Sequence, residues 1–334
     1  MGKFGTSPGS NKKGGLLTGV LAGLLMVIIG TVLLWWNEGN NVRNIKTTDE
    51  IEKTVVDISP DTDPAEFGGQ LVALGGPFTV EDEKVTDGQF NVSHHTAYLR
   101  RVVEIYQWEE ESHTDDDGGT TYTYKKVWHE GVIDSSNFEG GHDNSAAENV
   151  PFSSEGFCAE DVTLGKFRLS STQIEMMETE RSLPVSDGDL TLPKGYAVNG
   201  KYVTNSAEPS SPQIGDVRIS WQYNGWKEVS VLAKLTGTTF TSWTSQVGKP
   251  VNRVFSGVRS SGEMLEIMRN EDKLFKWAMR LLGLILIFAG YMSFISPLTK
   301  LVGYIPILGN VVNFTFGLII FLLSLVQSLL VIII

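Results

Sequence analysis

Residues 16–36, LLTGVLAGLLMVIIGTVLLWW, carry no charged side chain, and their reading decides the architecture. A bilayer core is about 30 Å thick and takes roughly 20 apolar residues as helix, because lipid cannot satisfy exposed backbone polar groups. Two further uncharged runs follow: LLGLILIFAGYMSFIS at 281–296, and 301–334. The first and third are long enough to span. The second becomes so when Trp277 to Arg280 sit at the interface. Three such runs in one chain weigh against buried helices of a soluble core. They predict a membrane protein of α+β class, with an N-terminal transmembrane helix, a large mainly-β extracytoplasmic domain and C-terminal transmembrane helices. The expected boundaries are a tail at 1–14, helix one at 15–36, the domain at 37–260, helix two at 261–296, a connection at 297–309 and helix three at 310–334.

Charge divides the chain in the same way. All 39 acidic residues lie between Glu38 and Asp272, with 20 of the 27 basic ones. A strongly acidic segment stays soluble and repels nucleic acid and anionic membrane faces. No nucleic-acid partner is expected. The first apolar run ends in Trp35-Trp36 without a small-residue cleavage site, which reads as a retained signal anchor with interfacial aromatics. Lys3, Lys12 and Lys13 put the N-terminus in the cytoplasm by the positive-inside rule, and the acidic domain outside it. Lys300 agrees with this orientation, whereas Lys273, Lys276 and Arg280 oppose it. The single cysteine, Cys158, excludes an intrachain disulfide.

Within the membrane segments, Gly15, Gly19 and Gly23 share one helix face and allow close approach of another helix. Packing against the chain's own helices and self-association both remain open. Asn37, Glu38 and Gly39 follow the Trp pair. Gly39 is expected to end helix one and Glu38 to meet Arg280, while Lys273, Lys276 and Arg280 form a stripe suited to lipid headgroups. Thr47 and Glu50 have capping-box spacing, predicting a separate short helix at about 48–56. Ser260 and Glu263 repeat that spacing and start a continuous helix from about 261 to 296, ended by Pro297, with Pro306 and Gly309 marking a re-entry turn. On the last run Asn310, Asn313, Gly317, Ser324 and Gln327 recur on one side. This stripe reads as interhelical hydrogen bonding or as the lining of a pore.

The middle segment reads as strands. Residues 98–108 are β-branched and aromatic, and a turn from His113 to Gly119 leads to Tyr122, Tyr124 and Trp128 at strand spacing. Arg100, Arg101 and Glu104 are expected to be structural, paired mutually or with a neighbouring strand. Val217, Ile219, Trp221 and Tyr223 alternate with polar residues, and Asn224-Gly225 predicts a two-residue hairpin into Val229–Leu235. Asp115 to Gly119 suggests a calcium loop, but Lys126 stands where the twelfth-position glutamate belongs. The five histidines lack metal-ligand spacing, and phosphate-loop, dinucleotide and nucleophile-elbow motifs are absent. Neither a catalytic residue nor a cofactor is expected.

Several stretches resemble the transmembrane protein 43 (LUMA) family. They are WWNEG at 35–39 with Val42 and Lys46, LRRVVEIYQWEE at 99–110, IDSSNFEGGHDN at 133–144, GKFRLSS at 165–171, IGDVRISW at 214–221 and WAMRLLG at 277–283. They recur in order over about residues 15–320. The resemblance implies a cytoplasmic N-terminus, a large luminal or extracytoplasmic domain, four spans and a non-enzymatic role in membrane organisation, self-association and scaffolding of partners. A channel-related role is also implied. The style of the sequence suggests a bacterial member, which predicts the plasma membrane. A eukaryotic member would lie in the endoplasmic reticulum and inner nuclear membrane. The sequence departs from the family pattern at its end, stopping at Ile334 inside the third hydrophobic run, so that the fourth span is missing. The leading expectation is therefore a multi-pass scaffold whose partners are membrane lipids, further copies of itself and other membrane proteins. The alternatives are an oligomeric channel using the Asn310–Gln327 stripe and, more weakly, a membrane-bound hydrolase.

Overall fold

The structure, a computed structural model, describes residues 12–81, 84–114, 120–186, 190–302 and 309–333, with residues 12–18, 114, 295–302 and 309–316 in backbone only. Residues 1–11 of the expected tail, the turn at Asp115–Gly119, Pro306 and Ile334 lie outside the described residues. The chain divides into two compact units. One comprises helix α1 (Lys12–Thr54) up to Lys53, the loop Thr244–Lys249, and the helices from Leu265 onward; the other is Thr54–Trp243 with Pro250–Met264.

The second unit is mainly β. Among the described residues, an eight-stranded sheet runs in the order Val56–Ile58, Leu71–Pro77, Glu228–Thr236, Thr239–Thr241, Phe167–Leu169, Val162–Leu164 and Thr79–Val80, with Arg253–Ser256 also paired to Glu228–Thr236. A seven-stranded sheet runs Ala197–Asn199, Tyr202–Thr204, Val217–Tyr223, Tyr98–Thr114 and Thr120–Glu130; Arg181–Leu183 and Glu155–Cys158 join it laterally. Strand periodicity explains this pairing. Val217, Ile219 and Trp221 are buried while Arg218 and Ser220 are only partly covered. Residues Val229 to Ala233 are buried on both faces, as expected of a central strand. Val72, Leu74, Val229 and Val231 of one sheet and Leu99, Val103, Ile219 and Trp221 of the other belong to a single hydrophobic cluster. Each fully buried large side chain contributes about 1.5–3 kcal/mol. Tyr98–Thr114 and Thr120–Glu130 form the expected hairpin.

The Asn224-Gly225 hairpin is not formed. Val217–Tyr223 and Glu228–Thr236 lie in different sheets. A two-residue type I′ turn needs positive φ at both positions, and neither residue has it. Tertiary bonds take the dipeptide instead. The Asn224 N–H donates to the Tyr98 carbonyl, its side-chain amide to the Glu178 carbonyl and the Gly225 N–H to Glu180.

The helical unit corrects three boundaries. Helix α1 does not end near Gly39 but runs to Thr54, 43 residues in all, or about 64 Å. Gly39 is an exposed position inside it. No separate helix starts at Thr47, because an unbroken helix has no free N–H group there to cap. The Thr47 hydroxyl instead meets that of Ser245, and Glu50 accepts from the Gln246 N–H. Both residues therefore hold the Thr244–Lys249 loop. Besides α1, the helices are α2 (Ser171–Glu175), α3 (Ser261–Val302) and α4 (Gly309–Ile333). Ser260 and Glu263 cap α3 reciprocally, as expected. That helix continues through Pro297 to Val302. A proline removes one backbone hydrogen bond without preventing later ones, so within an apolar segment the helix persists.

Candidate functional site

The features singled out in the sequence lie on α1, α3 and α4, within the helical unit. Helices α1 and α3 run antiparallel and touch through glycines. A Cβ on Gly23 would fall 2.7 Å from the Gly290 carbonyl oxygen, and one on Gly290 2.7 Å from that of Gly23. One on Gly30 would crowd Ile287 and the Gly283 carbonyl, and one on Gly283 would strike Leu34. The close face therefore uses Gly23 and Gly30 against Gly290 and Gly283, each pair seven residues apart. Of the predicted glycine face, Gly23 shares it. Gly19 has open space around its Cβ position, though its carbonyl accepts from the Ser293 hydroxyl. Gly15 is described in backbone only.

Charges meet where the apolar runs end. Arg280 donates twice to Glu38, at 2.7 and 2.8 Å, in the bidentate geometry that favours Arg over Lys. Its guanidinium also lies 5.0 Å from the Trp277 ring centroid. Asn37, 1% exposed, donates to the Lys276 carbonyl. Trp35, Trp36 and Trp277 point outward, at 68%, 45% and 58% exposure.

On α4, among the described side chains, Gln327 hydrogen-bonds to other helices. It accepts from the Tyr291 hydroxyl of α3 at 2.6 Å and donates to the Thr31 hydroxyl of α1 at 2.8 Å. Ser324 and Ser328 bond their own helix, to the Ile320 and Ser324 carbonyls. Nothing lies within 4 Å of a Cβ built on Gly317. Asn310 and Asn313 lie in the helix but are described in backbone only. The structure thus joins Gln327 to both neighbouring helices.

Farther from the apolar runs, α1 and α3 enclose a cleft of about 240 Å³, lined by Asn41, Asn44, Thr48, Asp49, Arg269, Asp272, Lys273 and Lys276, with Ile45. Asn44 donates to Asp272 at 2.5 Å and accepts from Lys249. Burial lowers the Lys249 pKa, opposed by Asp272. Arg269 pairs with Glu52 at 2.5 Å and with Asp49 at 3.8 Å.

The β unit holds a charge cluster that sequence reasoning missed. Arg101 is 1% exposed. It donates to both Asp87 oxygens at 2.8 and 2.9 Å, to Glu155 at 2.8 Å and to the Ser153 carbonyl. The Trp221 indole donates to the same Asp87. Asn144, also buried, donates to the Trp108 and Ile133 carbonyls and accepts from the Trp108 N–H. The stretches 99–110, 133–144 and 214–221 are thus joined in three dimensions. Arg100 and Glu104 pair across strands, with Glu130 and Arg218. Among the described residues, no group of three or more His, Cys, Asp or Glu could hold a metal ion.

Comparison with known proteins accounts for these shared stretches. The family model Transmembrane protein 43 matches residues 105–334. The chain belongs to the transmembrane protein 43 family. The Drosophila melanogaster transmembrane protein 43 homolog is 29% identical over 305 residues, covering 86% of this chain and 79% of that one. The Mus musculus and Homo sapiens transmembrane protein 43 sequences are each 28% identical over 321 residues, covering 88% of this chain and 78% of theirs. No solved structure matches. As a membrane protein of this family, the chain has two described helices long and apolar enough to span, Gly19–Thr54 and Ser261–Phe294, and a shorter apolar helix, Gly317–Ile333.

Proposed function

We propose that this member of the transmembrane protein 43 family is a non-enzymatic membrane scaffold. Its helices anchor it across the membrane several times. Its acidic β unit lies on the extracytoplasmic side and is presented to protein or lipid partners. The observation that carries this reading is Gln327. Its amide is used in both directions between helices, with Tyr291 and Thr31. Such a group is packing material rather than the wall of a water-filled path.

The test is reconstitution in liposomes with an ion-flux readout, for the unaltered chain and for Gln327→Leu. Flux should match protein-free vesicles in both cases. The substitution should lower stability by about 0.6–2 kcal/mol, the range of interhelical hydrogen bonds in membranes. Flux that depends on Gln327 would overturn the scaffold reading in favour of a channel. Cross-linking in native membranes should give discrete adducts with further copies or other membrane proteins; a chain that stays monomeric and uncross-linked would count against scaffolding.

A further inference from the structure

The strand Thr120–Glu130 closes the seven-stranded sheet on one side, and its outer edge is open. Its pairing with Tyr98–Thr114 advances residue by residue without a skip. The Tyr106 N–H donates to the Asp216 carbonyl, and the Tyr106 carbonyl accepts from the Gly215 N–H. Trp108 turns both of its main-chain groups to Asn144 in the same direction. Even-numbered residues of Tyr98–Thr114 therefore face away from Thr120–Glu130, and odd-numbered ones bond to it. The odd-numbered residues of Thr120–Glu130 answer them, so the main-chain groups of Tyr122, Tyr124, Lys126 and Trp128 point outward. Among the described residues, these groups bond no other segment. The strand has 11 residues, or roughly 37 Å of edge. Proteins usually blunt such an edge with proline, a bulge or lysine. This strand has neither proline nor bulge. Its two lysines lean back onto the neighbouring strand. Lys125 pairs with Glu109 at 3.1 Å and with Glu111, and the Lys126 ammonium lies 4.9 Å from the Trp108 ring centroid.

We propose that this edge pairs with the same edge of a second copy, antiparallel and across a two-fold axis at Tyr124, joining two sheets into one. Charge selects both the partner and the register. Centred on Tyr124, residues 120–128 form the ladder. Tyr122 then lies opposite Lys126 of the second copy, Thr123 opposite its Lys125 and Thr121 opposite its Val127. No two like charges meet, and the ring-to-ammonium pair is favourable. Centring on Lys125 or Lys126 sets a lysine against its own copy, which destabilises the pair. Centring farther toward either end shortens the ladder. An acidic peptide is the ordinary complement of a lysine-bearing edge, but it would find Lys125 held by carboxylates and Lys126 laid on Trp108. A second copy needs no free lysine, because the main-chain groups carry the contact. The pairing rests on the scaffold reading above and gives its self-association a surface.

The test uses the full chain in detergent micelles, on a Cys158→Ser background, with Thr123→Cys and Lys125→Cys made separately. In the proposed register these positions of two copies face each other at a non-hydrogen-bonded site. Cα atoms there are about 4.5 Å apart, within disulfide reach. Mild oxidation of the two variants mixed should give a cross-linked dimer, and either variant alone should give little. Tyr122→Pro removes an outward N–H and leaves the bonds to Tyr98–Thr114 in place. It should keep the unaltered melting temperature. It should also raise the dimer dissociation constant about tenfold or more, because two main-chain hydrogen bonds are lost per dimer. Val127→Pro, which removes an inward N–H, should lower the melting temperature. Equal cross-linking of either cysteine variant alone, no cross-link in the mixture, or a dimer indifferent to Tyr122→Pro would overturn the proposal. So would a fall in melting temperature for Tyr122→Pro as large as that for Val127→Pro, because the edge would then be occupied within the chain. A monomer that cross-links in membranes to other proteins would overturn the pairing and leave the scaffold reading standing. A chain that cross-links to nothing would remove both.

Discussion

At the residue scale, Arg101 carries the sharpest energetic consequence. A buried guanidinium is tolerable only while its partners remain, because removing one partner strands the other charge out of water. Arg101→Met leaves Asp87 with the Trp221 indole and the Gln89 N–H as donors. The substitution should cost about 3–5 kcal/mol, or a fall of about 6–20 °C in the Tm of a domain of this size. Adding Asp87→Asn should recover part of that loss, because the two changes share one network. Thermal unfolding followed by near-ultraviolet circular dichroism measures both variants, and simple additivity would argue against the network. Alternation along 98–108 placed Arg100 and Glu104 on one face and allowed partners on a neighbouring strand. It could not identify Asp87 or Glu155 as partners of Arg101, because both lie far away in the chain. Cys158 shows a similar limit. The sequence supplied one thiol, and only the fold buries it near Glu175, with burial the larger effect, pushing its pKa up to about 11.

At the element scale, α1 distinguishes two kinds of glycine. Gly39 sits in an exposed helix interior with nothing within 4 Å of its Cβ position. Gly39→Ala should therefore stabilise the protein by about 0.5–1 kcal/mol through helix propensity alone. A cap glycine in the left-handed region would instead lose stability. Gly23→Ala should destabilise, because the new methyl meets the Gly290 carbonyl and the Phe294 backbone N, which cannot rotate away. Comparing thermal melts of the two variants reads the contrast directly, and equal effects would rule out the glycine contact. The same element shows why capping spacing misleads. Thr47 and Glu50 fit a helix start locally, but the pattern cannot report that the backbone before Thr47 is already helical. Asn224-Gly225 fails for a related reason. Local turn propensity is weaker than the tertiary hydrogen bonds that direct the following strand into the other sheet.

At the scale of the whole molecule, the proposed topology places the β unit outside the cytoplasm. Thr121→Cys, at an exposed position on the long hairpin, should react with an impermeant maleimide on intact cells. Labelling only after permeabilisation would reverse the topology. Cys158 gives little background, since thiolate is the reactive form. Its raised pKa lowers the thiolate share at neutral pH well below that of an ordinary thiol. Background should climb only as pH approaches 11. The sequence by itself determined the apolar helices, the acidic β-rich middle, the capped start of α3 and the family. Each depends on composition, short periodicity or local spacing, which one stretch of chain contains in full. The tertiary structure alone decided the Gly23–Gly290 approach, the Gln327 bridge, the two-sheet arrangement and the Arg101–Asp87 pair. These depend on which distant residues the folded backbone brings within a few ångströms, and periodicity along a chain carries no information about that distance.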